Sequence, residues 1–413
     1  MTLRALWNWW NEVWFAPRPV TPVALYRIFF GLLMLQWGLL MWPNLLVFFG
    51  SKAIVSSTSA TQWAQGPTLN ALLLLPPDDN FLVAFFLLVM LAAACLTAGL
   101  CTRLSAFIVF VGLTSFYFRN PFVLHSGDTF LRIAAFLLFL SPCGQALSVD
   151  NLIRVAIARD PRSVGSRVHA PWAQRLLQFN VAVVYADAFW TKVVSDQWLD
   201  GLSVYYTSRL EQFQRLPVPF LFDNVWTCRL LTWYTLAIEG CMWTLVWFKE
   251  VRYYILLAAV VFHLGLDWSM NIPQFQFIMI TALITFVDPA DLSRLMDKLR
   301  LRLKPLFGPA VRITFCVHSM GAVKLAELTR RLNVLDAVEL VEMEGESGAA
   351  TENPPSLRIS QADQMLSGSA ALRAVAARLP LLWVVYPVLL VPGIDLLVEH
   401  WSRGMLQAQQ AGS

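Results

Sequence analysis

The residues best placed to do chemistry are ionisable side chains set inside apolar runs. In VVYADAFWTKVV, residues 183–194, Asp187 and Lys192 interrupt a stretch otherwise suited to hydrocarbon. A charge at a bilayer centre costs about 2.5–3.5 kcal/mol on insertion scales, so such residues face a bundle interior or a wet cavity and find partners there. The pattern recurs with Arg27 in ALYRIFFG, Asp128 and Arg132 in HSGDTFLRIAAF, Glu239 in TLAIEGCMW, and His263 and Asp267 in VFHLGLDWSM. Helical spacing sorts them. Asp128–Arg132 and His263–Asp267 are i, i+4 pairs, the second setting a carboxylate to orient an imidazole. Tyr185 and Lys192 share one helical face; Asn180 and Asp187 share another, about 140° from Lys192. Lys192 should therefore take its partner from another span, with Glu239 the natural candidate, and Asp187 should pair elsewhere. A lysine in a low-dielectric pocket can serve as a base, whereas one paired with Glu239 stays charged and holds helices together. For Lys192, Glu239 and His263 both readings stand; Arg27 and the Asp128–Arg132 pair read first as packing salt bridges.

These residues need a membrane bundle around them. Of the 413 residues 57% are hydrophobic and only 14% charged, where a soluble domain carries about 25% charged residues. The mean hydropathy is +0.57. A net charge of +4 without basic blocks interleaved with aromatics excludes nucleic acid as a partner. About eight runs approach the 17–25 residues a span needs, near 23–42, 81–99, 104–118, 129–147, 176–195, 229–247, 253–270 and 274–288. Lys and Arg alternate between the connections: loop 148–175 carries Arg154, Arg159, Arg162, Arg167 and Arg175, while the long loop 43–80 has only Lys52. That alternation places both termini in the cytoplasm. Residues 1–22 open with Trp7, Trp10 and Trp14 at helical spacing, too polar for a signal peptide, and read as an interfacial helix. The six cysteines show no CxxC and no Cys/His zinc spacing, so no metal site is expected.

After Pro289 the pattern changes to strand, helix, strand: VRITF, then GAVKLAELTRRL, then VLDAVELV. A small α/β domain is expected over 306–413. Its apolar run around 380–398 contains Pro380, Pro387 and Pro392. Proline costs a helix interior about 3 kcal/mol, so short segments on the domain or on the membrane are expected rather than a ninth span.

With these residues in view, two resemblances emerge. VAVVYADAFWTKVVSDQWLDG, together with LYRIFFG, GLCTRLSA, GDTFLRIAAFLLFLSPCGQALSVD, Glu239 and FHLGLDWSMNIPQFQFIMI, resembles the HTTM domain shared with vitamin K-dependent gamma-carboxylases, over about 23–290. The resemblance implies that Lys192 is a base linked to quinone chemistry; the buried polar residues themselves then add His263 and Glu239 as candidate catalytic proton partners and Asp128 at the pocket mouth. Arg27, Arg132, Tyr185, Asp187 and Asp267 form a supporting polar core. A carboxylase histidine falls on Asp128 here, which sets the chain apart from carboxylation itself. The tail resembles the DCC-type thiol-disulfide oxidoreductase-like domain, a thioredoxin-like fold. Its usual cysteines fall on Ser319 and Ala322, leaving Cys316 and His318 nearby, so dithiol exchange is excluded. The expectation is a mainly α, polytopic helical membrane bundle of about eight spans with a small C-terminal α/β thioredoxin-like domain, in a bacterial inner membrane. Its partners would be membrane lipids and a quinone, while a protein partner and the substrate stay unspecified.

Overall fold

Helix signals in the sequence translate directly into structure. The computed structural model describes residues 2–63, 68–123, 125–164, 168–216, 218–307, 311–317, 320–343, 357–361, 364–366, 368–379 and six residues between 382 and 391. The principal helices are α1 (Leu3–Phe15), α2 (Thr21–Met41), α3 (Asp79–Ala98), α4 (Thr102–Arg119), α5 (Ser126–Leu140), α6 (Trp172–Val193), α7 (Val225–Thr244), α8 (Lys249–Ser269) and α9 (Phe275–Leu283). Farther along come α10 (Pro289–Leu303), α11 (Met320–Leu332) and α12 (Gly368–Arg378). The chain forms two compact units, one of residues 1–150 and 167–289, the other of 151–166 and 290–413.

In the first unit all eight apolar runs are helical, α2 to α9. Three helices are long and apolar enough to cross a membrane: Thr21–Phe49, Asp79–Ala98 and Lys249–Ser269. The others are shorter or carry more polar residues. The α3–α4 connection shows why GLCTRLSA turns so tightly. Asp78 caps α3 through Asn80 N, and Gly99 closes it at φ +73, with Leu100 N bonded back to Cys95 O. Asp150 then accepts from Cys101 N and Thr102 N, each at 2.8 Å, satisfying the first N–H groups of α4.

α2 packs on α3, α3 on α4 and α4 on α5, while α6 pairs with α7 and α7 with α8. α9 is central, touching α2, α5, α6 and α8. Phe30, Leu131, Val181 and Ala259 on those helices are fully buried and belong to one core cluster with Ile278 and Met279 of α9. α9 has only 9 residues and begins after Gln274, which sits in the left-handed region at φ 65. Segment 211–215 lies against the preceding reversal: Gln214 bridges Met270, Arg215 N donates to Ser269 O, and Asn271 N donates to Phe213 O. α1 has no buried residue and packs on the start of α6.

The second unit contains a four-stranded sheet of β1 (Val311–Cys316), β2 (Val338–Met343), β3 (Leu357–Gln361) and β4 (Gln364–Leu366), in the order β2-β1-β3-β4. β1 runs parallel to β2 with α11 as the crossover; β1–β3 and β3–β4 are antiparallel. Val311, Ile313, Val338 and Ile359 pack with Ala371 of α12, and Phe315, on the same face of β1 as Val311 and Ile313, packs with Ala322, Val323 and Ala326 of α11. Most of the proline-broken run 380–398 lies outside the described residues.

Candidate functional site

The α6–α7 interface sets the site. Gly240 of α7 lies against the Phe189 ring, where an added Cβ would come within 3.3 Å, so the two helices approach closely. This brings Glu239 opposite the last turn of α6. Lys192 Nζ donates to Glu239 Oε1 at 2.6 Å and to Ala188 O at 3.3 Å, and lies 5.2 Å from the centre of the Trp198 ring. The Glu239 side chain is 6% exposed and that of Lys192 24%. The expected partnership between Lys192 and Glu239, across two helices, is therefore present.

Two turns down the Lys192 face, the Tyr185 hydroxyl and His263 Nε2 of α8 are 2.6 Å apart. His263 Nδ1 lies 2.5 Å from Gln276 Oε1 of α9. An amide oxygen only accepts, so Nδ1 carries the proton and Nε2 accepts from the tyrosine O–H. Tyr185 and His263 are 3% and 2% exposed. Glu239 is close enough to act electrostatically on Tyr185, which joins the two pairs into one polar cluster on α6, α7, α8 and α9. Glu239 Oε2 and Gln276 Nε2 are buried without a hydrogen-bond partner, and so are Asn180 Nδ2 and Trp243 Nε1 on α6 and α7. One acceptor and three donors are thus left unpaired among the described residues, Asn180 on the other face of α6 from Lys192.

Several expected pairings are not made. Asp128 and Arg132 do not form their i, i+4 bridge. Asp128 occupies the first turn of α5, where its Oδ2 accepts from His125 N at 2.9 Å in a capping box and its Oδ1 accepts from Trp37 Nε1 at 3.0 Å. Capping the helix start commits this carboxylate, and Arg132 instead stacks 4.1 Å from the Tyr117 ring centre. His263 and Asp267 are likewise separate. Asp267 lies at the end of α8 beside segment 211–215 and bonds Arg215 at 3.2 Å. Asp187 is exposed rather than part of a polar core: α7 covers the Lys192 face of α6 and leaves the Asp187 face outward, with no partner for the carboxylate among the described residues.

Arg27 is fully buried and ties α2 to the segment after α5, donating to Cys143 O at 3.1 Å and Leu147 O at 2.5 Å. Cys95, Cys101, Cys143, Cys228 and Cys241 are free thiols. Cys316 ends β1, and Ala322 is buried in α11; the Cys316 side chain, His318 and Ser319 lie outside the described residues.

The sequence reading missed Gln276, His125, Phe275 and Trp37. Phe275 connects two of the sites, its ring centre 6.3 Å from His125 and 6.4 Å from His263. The available signal was IPQFQFIMI, where two amides enter an apolar run. Gln274 reaches Leu33 O at 2.6 Å and Gln276 holds the histidine.

No curated protein and no solved structure matches the chain. The HTTM domain family matches residues 15–290, two-thirds of the length, and includes every member of the polar cluster. The chain belongs to the HTTM domain family.

Proposed function

We propose that this chain is a multi-pass membrane protein that carries out quinone- or lipid-linked proton chemistry at Lys192, Glu239, Tyr185 and His263. HTTM membership suggests a relation to vitamin K-dependent carboxylase-like membrane proteins. Helices α2 to α9 act as eight spans, with tilt and re-entry accommodating the shorter ones, and the Lys/Arg alternation puts both termini in the cytoplasm of a bacterial cell. The β2-β1-β3-β4 sheet, a parallel βαβ unit followed by an antiparallel ββα unit, supports the thioredoxin-like reading of the tail. Without its cysteines the domain serves binding or stability.

The observation that carries the reading is the juxtaposition of a buried ion pair with a Tyr–His–Gln hydrogen-bond series. Gln276 fixes the imidazole tautomer, so His263 Nε2 is aligned to take the Tyr185 proton. Lys192 supplies a positive charge nearby, which favours developing negative charge on an oxygen in this low-dielectric site. A quinone, held by Gln276 Nε2 and the Lys192–Glu239 pair, would supply redox chemistry when bound. Asp128 acts by fixing the start of α5 and the indole of Trp37.

The test is extraction of purified wild type and Lys192→Ala, followed by mass spectrometry for quinones. A stoichiometric quinone lost from the folded mutant supports the proposal. No quinone, with a mutant that unfolds, leaves Lys192 as a structural tie. The short Lys192–Glu239 bond favours that second reading, a non-enzymatic protein binding a lipid or protein partner.

A further inference from the structure

At the opposite end of α6 from Lys192, α1 covers a cavity of about 640 Å³, within the range of small-molecule sites. Arg18, Arg175, Lys249 and Arg252 line it, against Glu12 and Asp288. Arg18 and Arg252 are close enough to repel the Arg175 charge. Among the described residues, none of the three guanidinium groups has a carboxylate within 4.0 Å. Arg175 instead donates to Val13 O and Gln178 Oε1, and Arg252 to Val246 O and Trp247 O. These bonds hold the guanidinium groups in place; Asp288 offsets part of the Arg175 charge, and four bases against two acids leave the lining with an excess of positive charge. The first turns of α6 and α8 also border the cavity, and neither has a side-chain cap. Helix N-termini of this kind favour an anion.

The remaining wall is aromatic, with Trp10, Trp14, Trp247 and Phe286. Indole beside fixed cations is the chemistry of a membrane interface, where an apolar chain meets a charged head. A free anion would leave this wall without a role, and a neutral lipid would leave the excess of bases over Glu12 and Asp288 without a counter-charge.

We propose that the cavity beneath α1 binds the phosphate diester head of an anionic phospholipid, with Arg18, Arg175 and Arg252 on the phosphate and the acyl chains leaving along the indoles. The inference rests on the membrane reading above, but not on any chemistry at Lys192. In this role α1 is a clasp closed by a lipid from the cytoplasmic leaflet.

The full chain, purified and delipidated in neutral detergent, is titrated with phosphatidylglycerol, phosphatidylcholine or inorganic phosphate at matched ionic strength and followed by native mass spectrometry. Phosphatidylglycerol should bind at least ten-fold tighter than phosphatidylcholine. Arg175→Gln/Arg252→Gln should lose at least ten-fold in that affinity, while Lys52→Gln, a base in the distant 43–80 loop, keeps it. If the double variant does not fold, Arg18→Gln, whose side chain ties no backbone carbonyl among the described residues, should weaken binding at least three-fold. Equal binding of the two lipids overturns the proposal, as does unchanged affinity in the folded variants. Inorganic phosphate that displaces phosphatidylglycerol at equal concentration marks a free-anion site and also overturns it. Alkaline carbonate washing of membranes separates the premises: a chain that stays in the pellet without lipid preference sinks only the cavity, whereas one that washes off sinks the membrane reading.

Discussion

Removing either end of the Lys192–Glu239 pair should have unequal effects, because the two ends differ in burial. Lys192→Met leaves the Glu239 carboxylate 6% exposed, with Oε2 already lacking a partner. An uncompensated buried charge of this kind costs about 3–5 kcal/mol. Glu239→Gln leaves an ammonium group 24% exposed that keeps Ala188 O and the Trp198 ring, so the loss should be nearer 1–3 kcal/mol. Lys192→Met/Glu239→Gln removes both charges, and such replacements are often close to neutral. The double variant should therefore be more stable than Lys192→Met alone, and the smallest single losses, about 3 and 1 kcal/mol, against a near-neutral double put the coupling energy at about 4 kcal/mol or more. Reversible denaturant unfolding of purified protein in detergent, run on all four sequences, measures it. If the two single effects add in the double variant within about 0.5 kcal/mol, the pair is not coupled and the reasoning fails.

Tyr185→Phe should fold but leave His263 Nε2 without its donor, destabilising by about 1–3 kcal/mol; an unchanged denaturation midpoint would show that the hydroxyl is not engaged. Arg27→Met should cost about 1–3 kcal/mol by stranding the buried carbonyl of Cys143 and releasing that of Leu147, and lower yield of folded protein on size exclusion would report it. Gly31→Ala should be worse than Gly38→Ala. A Cβ at Gly31 meets the Thr97 backbone N at 2.9 Å, whereas at Gly38 it meets the movable end of Met90. Thermal midpoints of the two variants compare an immovable with a yielding neighbour.

The helical segments were legible because apolar runs ended at strong local signals. Asp78, Gly99 and the Thr102–Asp150 contact stop and restart the chain where GLCTRLSA says they should. The Lys192–Glu239 partnership followed from helical arithmetic, since Asp187 lay on the wrong face. The i, i+4 pairings misled because spacing gives proximity and not competition. Asp128 had a helix start to cap, and Asp267 had Arg215 from a loop 52 residues earlier. No local pattern encodes either alternative. His263 found an amide instead of a carboxylate because α9 delivers Gln276 into the core, and a glutamine in an apolar run gives no indication of which helix it will meet.

The shortness of α9 reaches beyond packing. Nine helical residues rise about 14 Å, and the 3-10 turn Ile284–Phe286 adds roughly 6 Å. A hydrocarbon core is about 30 Å thick, so in a bilayer the outer end of α9 stops roughly 10 Å below the surface. The reversal at residues 270–274 then lies at membrane depth, where irregular backbone survives only against protein or water. Segment 211–215 supplies the protein, clamping that reversal from above through Ser269, Met270 and Asn271. On the proposed membrane reading, segment 211–215 would therefore plug the end of α9, over His263 and Gln276.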